Sequence, residues 1–311
     1  LTVSVGPFGD QVGETLAVAA APRSLPTSRQ TIGLWVLPLG AGVVGHLDIV
    51  TGLSSQSRGV CHHGLVSPLL EVVCLHVRDV QGAVDGGADR LLLMSSPETG
   101  GLSPEPAVVS AVCREAEVPV RVLLRLNPGL STNGGEFTRL VGLANDYLSM
   151  GATSFSFGFL DASLEIDAAT TCELVGALPD VPWGFHRGFD AALSQDHAWR
   201  SVIGLPGLDA VATGGSSRGL GVGGEVLIDR AAQQPDVARL ALACGGIVAE
   251  QVPWLLRAKI SQFGLGQTAR PGRSWQRSYV DAGTVRSWRT LLDDTAAHIA
   301  RRTPVDPNRT H

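Results

Sequence analysis

Eight short apolar runs, each followed by an amphipathic stretch of helical period, recur through about 235 residues of this chain. That alternation narrows the fold more than any other feature. Leu69–Leu75, Arg90–Met94, Val118–Arg125 and Ser154–Leu160 read as the first four strands. Val181–His186, Asp209–Thr213, Arg239–Cys244 and Ile260–Leu265 read as the other four. Helices are expected over Arg78–Asp85, Pro104–Ala116, Glu136–Met150 and Ile166–Leu178. Four more are expected over Gln195–Leu205, Glu225–Gln233, Val248–Ala258 and Asp281–Arg302. Pro104 suits a first helical turn with Ser103 as its cap, and Gly151 suits a helix end. Eight strand–helix units are what a closed (β/α)8 barrel requires. An open doubly wound sheet uses the same alternation with fewer strands, but no Gly-x-Gly-x-x-Gly follows the first strand. The expectation is a single α/β TIM barrel over residues 67–311.

Residues 1–66 differ: Pro, Gly, Ser and scattered apolar runs carry no sustained period. An irregular extension is expected there, with a short hairpin under the barrel floor as the alternative. Apolar residues make up 44% of the chain and charged ones 17%, enough for a large core. A net charge of −5 excludes the clustered basic footprint of a nucleic-acid binder. Ile32–Val44 is broken by Pro38 and three glycines and lies behind Arg23 and Arg29. It is neither a membrane span nor a good signal peptide. The five cysteines (61, 74, 113, 172 and 244) form no Cys-x-x-Cys pair, so reduced thiols in the cytoplasm are expected.

The stretch Trp183-Gly-Phe-His-Arg-Gly-Phe-Asp190 points to the chemistry. An apolar run ends in an imidazole, a guanidinium and a carboxylate within five residues, where parallel α/β folds keep their functional groups.

Several segments resemble the CutC family of copper homeostasis proteins. They are Leu70-Glu-Val72, Gly86-Gly-Ala-Asp-Arg90, Gly100-Gly-Leu-Ser-Pro104 and Val118-Pro-Val-Arg-Val-Leu-Leu-Arg125. Phe185-His-Arg-Gly-Phe-Asp190 and Thr213-Gly-Gly215 complete the set, in the family's order over roughly 70% of the chain. The resemblance implies a cytoplasmic TIM barrel with a part in copper handling, through Cu(I), and with self-association. The chain departs from the pattern at Leu92 and Met94, where the family carries an acid and a cysteine. It departs again at Leu126 and Asn127, in place of Pro-Arg, and at Gly264, in place of a histidine.

Strand ends converge at one mouth of such a barrel, bringing Cys74, His76, Met94, Arg125, His186, Arg187, Asp190, Thr213 and Cys244 together. One reading is a Cu(I) site from the soft donors Cys74, Met94 and Cys244, with His186 as a nitrogen ligand. Packing alone also accounts for buried Cys and Met. The rival reading is an enzyme for a small anionic substrate, clamped by Arg125 and Arg187 with His186 as acid/base. Asp190 or Glu71 then orients the imidazole, and amides of Gly214, Gly215, Ser216 and Ser217 beside Thr213, or of Cys244–Gly246, cradle an oxyanion. Internal ion pairs, Arg187 with Asp190 and Arg125 with Glu71, explain the same charges without any ligand. A third reading is a scaffold whose pocket chemistry is gone.

Cys61-His62-His63, with His46, resembles a metal tract but lies in the extension, where such a triplet is ordinarily solvated. Cys113 and Cys172 sit at apolar helix positions, and His197 and His298 are expected to face outward. Gly214–Gly224 lacks the Gly-Lys-Ser/Thr ending of a phosphate loop. Trp275 and Trp288 are expected to pack the last helix onto the barrel.

Overall fold

The computed structural model describes residues 67–302. Its eight parallel strands close into a ring in sequence order, each hydrogen-bonded to the next and the last to the first. The strands are β1 (Leu69–Cys74), β2 (Arg90–Leu93), β3 (Val120–Leu123) and β4 (Ser154–Phe157), then β5 (Trp183–Phe185), β6 (Leu208–Thr213), β7 (Ala241–Ala243) and β8 (Gln262–Leu265). The expected barrel is therefore the observed fold. Residues 1–66, with Cys61, His62, His63 and His46, lie outside the described part.

The helices follow the expected order: α1 (Arg78–Asp85), α2 (Pro106–Glu115), α3 (Gly134–Ser149), α4 (Ala168–Ala177) and α5 (Gln195–Val202). After β6 come α6 (Leu220–Gln233) and α7 (Pro235–Leu240), with α8 (Val252–Arg257) before β8 and α9 (Ala282–Arg302) closing the ring. Three boundaries differ for identifiable reasons. α2 starts at Pro106 rather than Pro104, because the Ser103 hydroxyl accepts from Arg125 N at 2.8 Å instead of capping a helix. α6 begins at Leu220, earlier than Glu225: Gly221, Gly223 and Gly224 weaken its helical signal, yet Gly223 packs where a Cβ would strike Gly215. α7 takes Arg239 and Leu240 from the expected seventh strand, because Pro235 opens a helical turn there.

Elsewhere local signals hold. Asn133 accepts from Glu136 N at 3.0 Å and caps α3, and Gly151 follows its end at φ +105°, which glycine adopts without strain.

Side chains alternate across each strand. Leu70, Val72 and Cys74 face the helices, and so do Phe155, Phe157, Trp183 and Phe185, all fully buried. Phe157 stacks on Trp183 at 4.5 Å between ring centroids, and Phe189 meets Trp199 at 4.8 Å beneath α5. Burying each such ring contributes about 2–3 kcal/mol of transfer free energy. The opposite parity fills the lumen. The register sets Glu71 beside Arg90, Leu92 beside Arg121, Arg121 beside Ser154, and Ser156 beside Gly184.

Between β8 and α9 a strap crosses back to the first unit. Arg270 reaches Asp79 of α1 with two 2.8 Å hydrogen bonds, one to each carboxylate oxygen. Asp79 also accepts from the backbone N–H groups of Leu75, His76 and Val280. Trp275 belongs to this strap: its ring lies against Gly266 and under the Arg270 guanidinium at 5.1 Å. Of the two tryptophans expected to pack the last helix, only Trp288 sits on α9, half-buried against the core.

Candidate functional site

The mouth divides into two groups. The first is built on the 3-10 turn Arg187–Ala191 that follows β5. Asp190 is buried, and its Oδ2 accepts from Arg187 Nε at 3.1 Å, Arg187 Nη2 at 2.8 Å and Gly214 N at 2.9 Å. Its Oδ1 accepts from Thr213 Oγ1 at 2.5 Å, and that hydroxyl oxygen accepts from Gly215 N at 2.9 Å. The ion pair expected between Arg187 and Asp190 is therefore present. Within the expected Gly214–Ser217 cradle, Gly214 N donates to Asp190 and Gly215 N to the Thr213 hydroxyl, so these two amides are already engaged.

This bracing fixes one edge of Arg187, whose Nη2 also donates to Ser216 O at 3.2 Å. Among the described residues Arg187 Nη1 has no partner, and the side chain is 36% exposed. Gly245, at φ +88°, leaves the space in which that guanidinium lies, since a Cβ there would collide with it. The N–H groups of Gly245 and Gly246 likewise carry no hydrogen bond within the described part. A guanidinium with one free edge beside two free amides suits an anionic oxygen.

The second group joins β3 to β5. Arg125 was expected to clamp an anion or to pair with Glu71; among the described residues it makes no ion pair with Glu71. Its Nε donates to Gly129 O at 3.2 Å, Nη1 to Thr99 O at 3.3 Å and Gly101 O at 3.0 Å, and Nη2 to Pro128 O. Every guanidinium nitrogen thus ties two loops together. His186 is buried, and its Nδ1 accepts from Gly188 N at 2.8 Å, so a neutral ring carries its proton on Nε2. Burial, and then the Arg125 charge, pull its pKa down to about 4. At neutral pH His186 is an uncharged N–H donor and a poor general base. It faces a cavity of about 10 Å³, room for one water, lined by Arg125, Asn127, Thr132, Glu136 and Phe159.

Glu71 lies in the lumen and pairs with Arg90 (Nε to Oε2, 2.6 Å). The three soft donors stand in three different surroundings. Cys74 faces the helix layer, where burial and then Asp79 push its thiol well above the ordinary range. Met94 packs with its sulfur beside Gly101. Cys244 is half-buried at the mouth near Arg187, and burial pushes its thiol up to about 12 although Arg187 pulls the other way. Among the described residues no three His, Cys, Asp or Glu side chains group as metal ligands. Burial disfavours the thiolate at both Cys74 and Cys244, which works against a soft-metal site there. His76 is exposed at the rim, its Nδ1 accepting from Arg78 N at 3.1 Å. His197 is exposed and meets Glu165 at 2.8 Å.

Sequence reasoning missed the polar residues of the lumen and the strap: Arg90, Arg121, Asp209, Asp79 and Arg270. A signal existed for the first two. Each is a lone guanidinium inside an apolar strand, at the parity of Glu71.

The class is now defined: a (β/α)8 barrel with an arginine-centred polar mouth and a charged lumen. Residues 68–263 match the model of the CutC family, and the chain belongs to that family. A CutC family protein of Citrobacter koseri is 26% identical over 211 residues, covering 68% of this chain and 82% of its own. One from Klebsiella pneumoniae subsp. pneumoniae is 26% identical over 197 residues, covering 62% and 78%. The solved CutC of Streptococcus agalactiae, whose name carries copper homeostasis, matches with a TM-score of 0.56. It is 20% identical and covers 64% of this chain and 98% of its own, a likeness of fold. No helix among the described residues is long and apolar enough to cross a membrane.

Proposed function

We propose that this barrel serves copper homeostasis by binding a small anionic ligand at Arg187, not by holding Cu(I) between Cys74, Met94 and Cys244. The copper role is carried over from the name of the Streptococcus agalactiae relative. The anionic ligand rests on one observation: Asp190 fixes Arg187 by two of its nitrogens and leaves Nη1 free beside Gly245 and Gly246. Among the described residues Cys74, Cys113, Cys172 and Cys244 are free thiols, which supports a reducing cytoplasm as the place of action.

Inorganic phosphate at one hundred times its Kd should raise wild-type stability by about 2.7 kcal/mol in a thermal unfolding assay. Arg187→Met should lose that response, and Arg187→Lys should keep only part of it, because the planar fork is gone. An equal phosphate response in wild type and Arg187→Met would remove the proposal. So would a Cu(I) competition titration in which Cys244→Ala loses a tight site that wild type has.

A further inference from the structure

The outer wall of the barrel carries a groove between its last two helices. α8 is 6 residues long and α9 is 21, so α9 overhangs its neighbour. The groove left beside the overhang holds about 490 Å³, the size of a small-molecule site. Pro253 and Ala297 give it apolar surface, and Arg257, Asp294, His298 and Arg301 give it polar groups. Helices in this fold run from the mouth toward the floor. Arg257 closes α8 and Arg301 is the last residue but one of α9, so the groove opens low on the wall, away from Arg187.

Its charges are uncommitted. Higher on α9, Arg286 donates to Asp85 O at 2.8 Å and Arg289 pairs with Asp89 at 2.9 Å, which ties α9 to α1 and the turn after it. The side chains of Arg257, Asp294, His298 and Arg301, by contrast, make no hydrogen bond or ion pair among the described residues. Arg257 is held in place all the same. Its guanidinium lies over the Trp254 ring at 5.1 Å, a contact that spends none of its N–H groups on an oxygen. Compensating the carbonyl ends of two helices accounts for a cation at each. It does not account for an acid on the same stripe.

Asp294, His298 and Arg301 follow one another at i, i+4 and i+7 along one face of α9. Seven residues of helix rise about 10 Å. The groove is therefore polarised, with a carboxylate at its upper end and two guanidinium groups at its lower end. A plain anion meets the guanidinium groups and leaves Asp294 unmatched. A linear ligand with an ammonium at one end and a carboxylate at the other matches both. An extended tripeptide spans about 10 Å and brings those two groups at that separation.

We propose that the α8–α9 groove binds a short peptide of about three residues by both of its termini, the ammonium at Asp294 and the carboxylate at Arg257 and Arg301. This site is separate from Arg187 and does not depend on the ligand there.

Triglycine is the probe, titrated into the full chain at fixed pH and ionic strength while the indole N–H signal of Trp254 is followed by NMR. Wild type should show a saturable shift. Triglycinamide, which lacks the carboxylate, and N-acetyl-triglycine, which lacks the ammonium, should each bind about fivefold more weakly, the scale of a partly solvated ion pair. Arg301→Ala should weaken triglycine by about the same factor and leave triglycinamide nearly unchanged. Asp294→Asn should bind triglycine and N-acetyl-triglycine alike. Both positions are exposed, so neither change should disturb folding, and Arg187→Met should leave the titration as it is in wild type. No saturable shift in wild type overturns the proposal. Equal binding of triglycine and N-acetyl-triglycine by wild type does the same, as does an equal shift with inorganic phosphate, which would make the groove an anion patch only.

Discussion

Alanine at position 79 should lower the unfolding free energy by about 3–5 kcal/mol, the largest loss expected from any single change here. Asp79 and Arg270 have side chains 1% exposed, and the carboxylate accepts from five donors on three segments of chain. Removing it leaves a guanidinium buried with no counter-charge and three backbone N–H groups with no acceptor. The double change Asp79→Leu with Arg270→Met should cost less than Asp79→Ala alone, because it removes both charges together. Urea unfolding of the three proteins measures this. A loss under 1 kcal/mol for Asp79→Ala would mean that the strap is held by something other than this pair.

The second large effect is on pH. The folded chain holds His186 at a pKa of about 4, against 6.5 for an unperturbed histidine. Unfolded chain therefore takes up a proton where folded chain refuses it. The stabilisation is complete above about pH 6.5 and fades as the pH falls toward 4. At its full extent it is on the order of 3 kcal/mol, and on the order of 2 kcal/mol should disappear between pH 7 and pH 5. Comparing the slope of stability against pH in wild type and in His186→Gln isolates this contribution from the carboxylates. Identical slopes would mean that the imidazole titrates normally and that its role as a neutral donor is wrong.

Most of the barrel was legible because the strand period and the helical period alternate cleanly, and each unit is local. α1 was expected over Arg78–Asp85 and is found there. Errors came where local chemistry competed: Ser103 serves Arg125 rather than a helix, and glycines hide the start of α6. The site was less legible, for a physical reason. Sequence placed Arg187 and Asp190 three residues apart, so their pairing could be anticipated. It could not tell whether Arg125 would meet a carboxylate or four carbonyls, because those carbonyls belong to loops without regular structure. Nor was it evident that Cys74 turns to the helices while Glu71 turns inward, although their offset of three residues fixes opposite parity once the strand is accepted.

The Asp79–Arg270 clasp has a temporal consequence. Its two halves are 191 residues apart, and the β1–β8 ladder that it overlies joins the same two ends of the barrel. A ribosome releasing about 5–20 residues per second exposes the free margin of β1 for on the order of ten seconds or more before its last partner emerges. The half-made cylinder is therefore the form most open to mispairing with other nascent chains. Stop-codon variants ending just before Gln262 should aggregate during translation, while the complete chain, once sealed, should not.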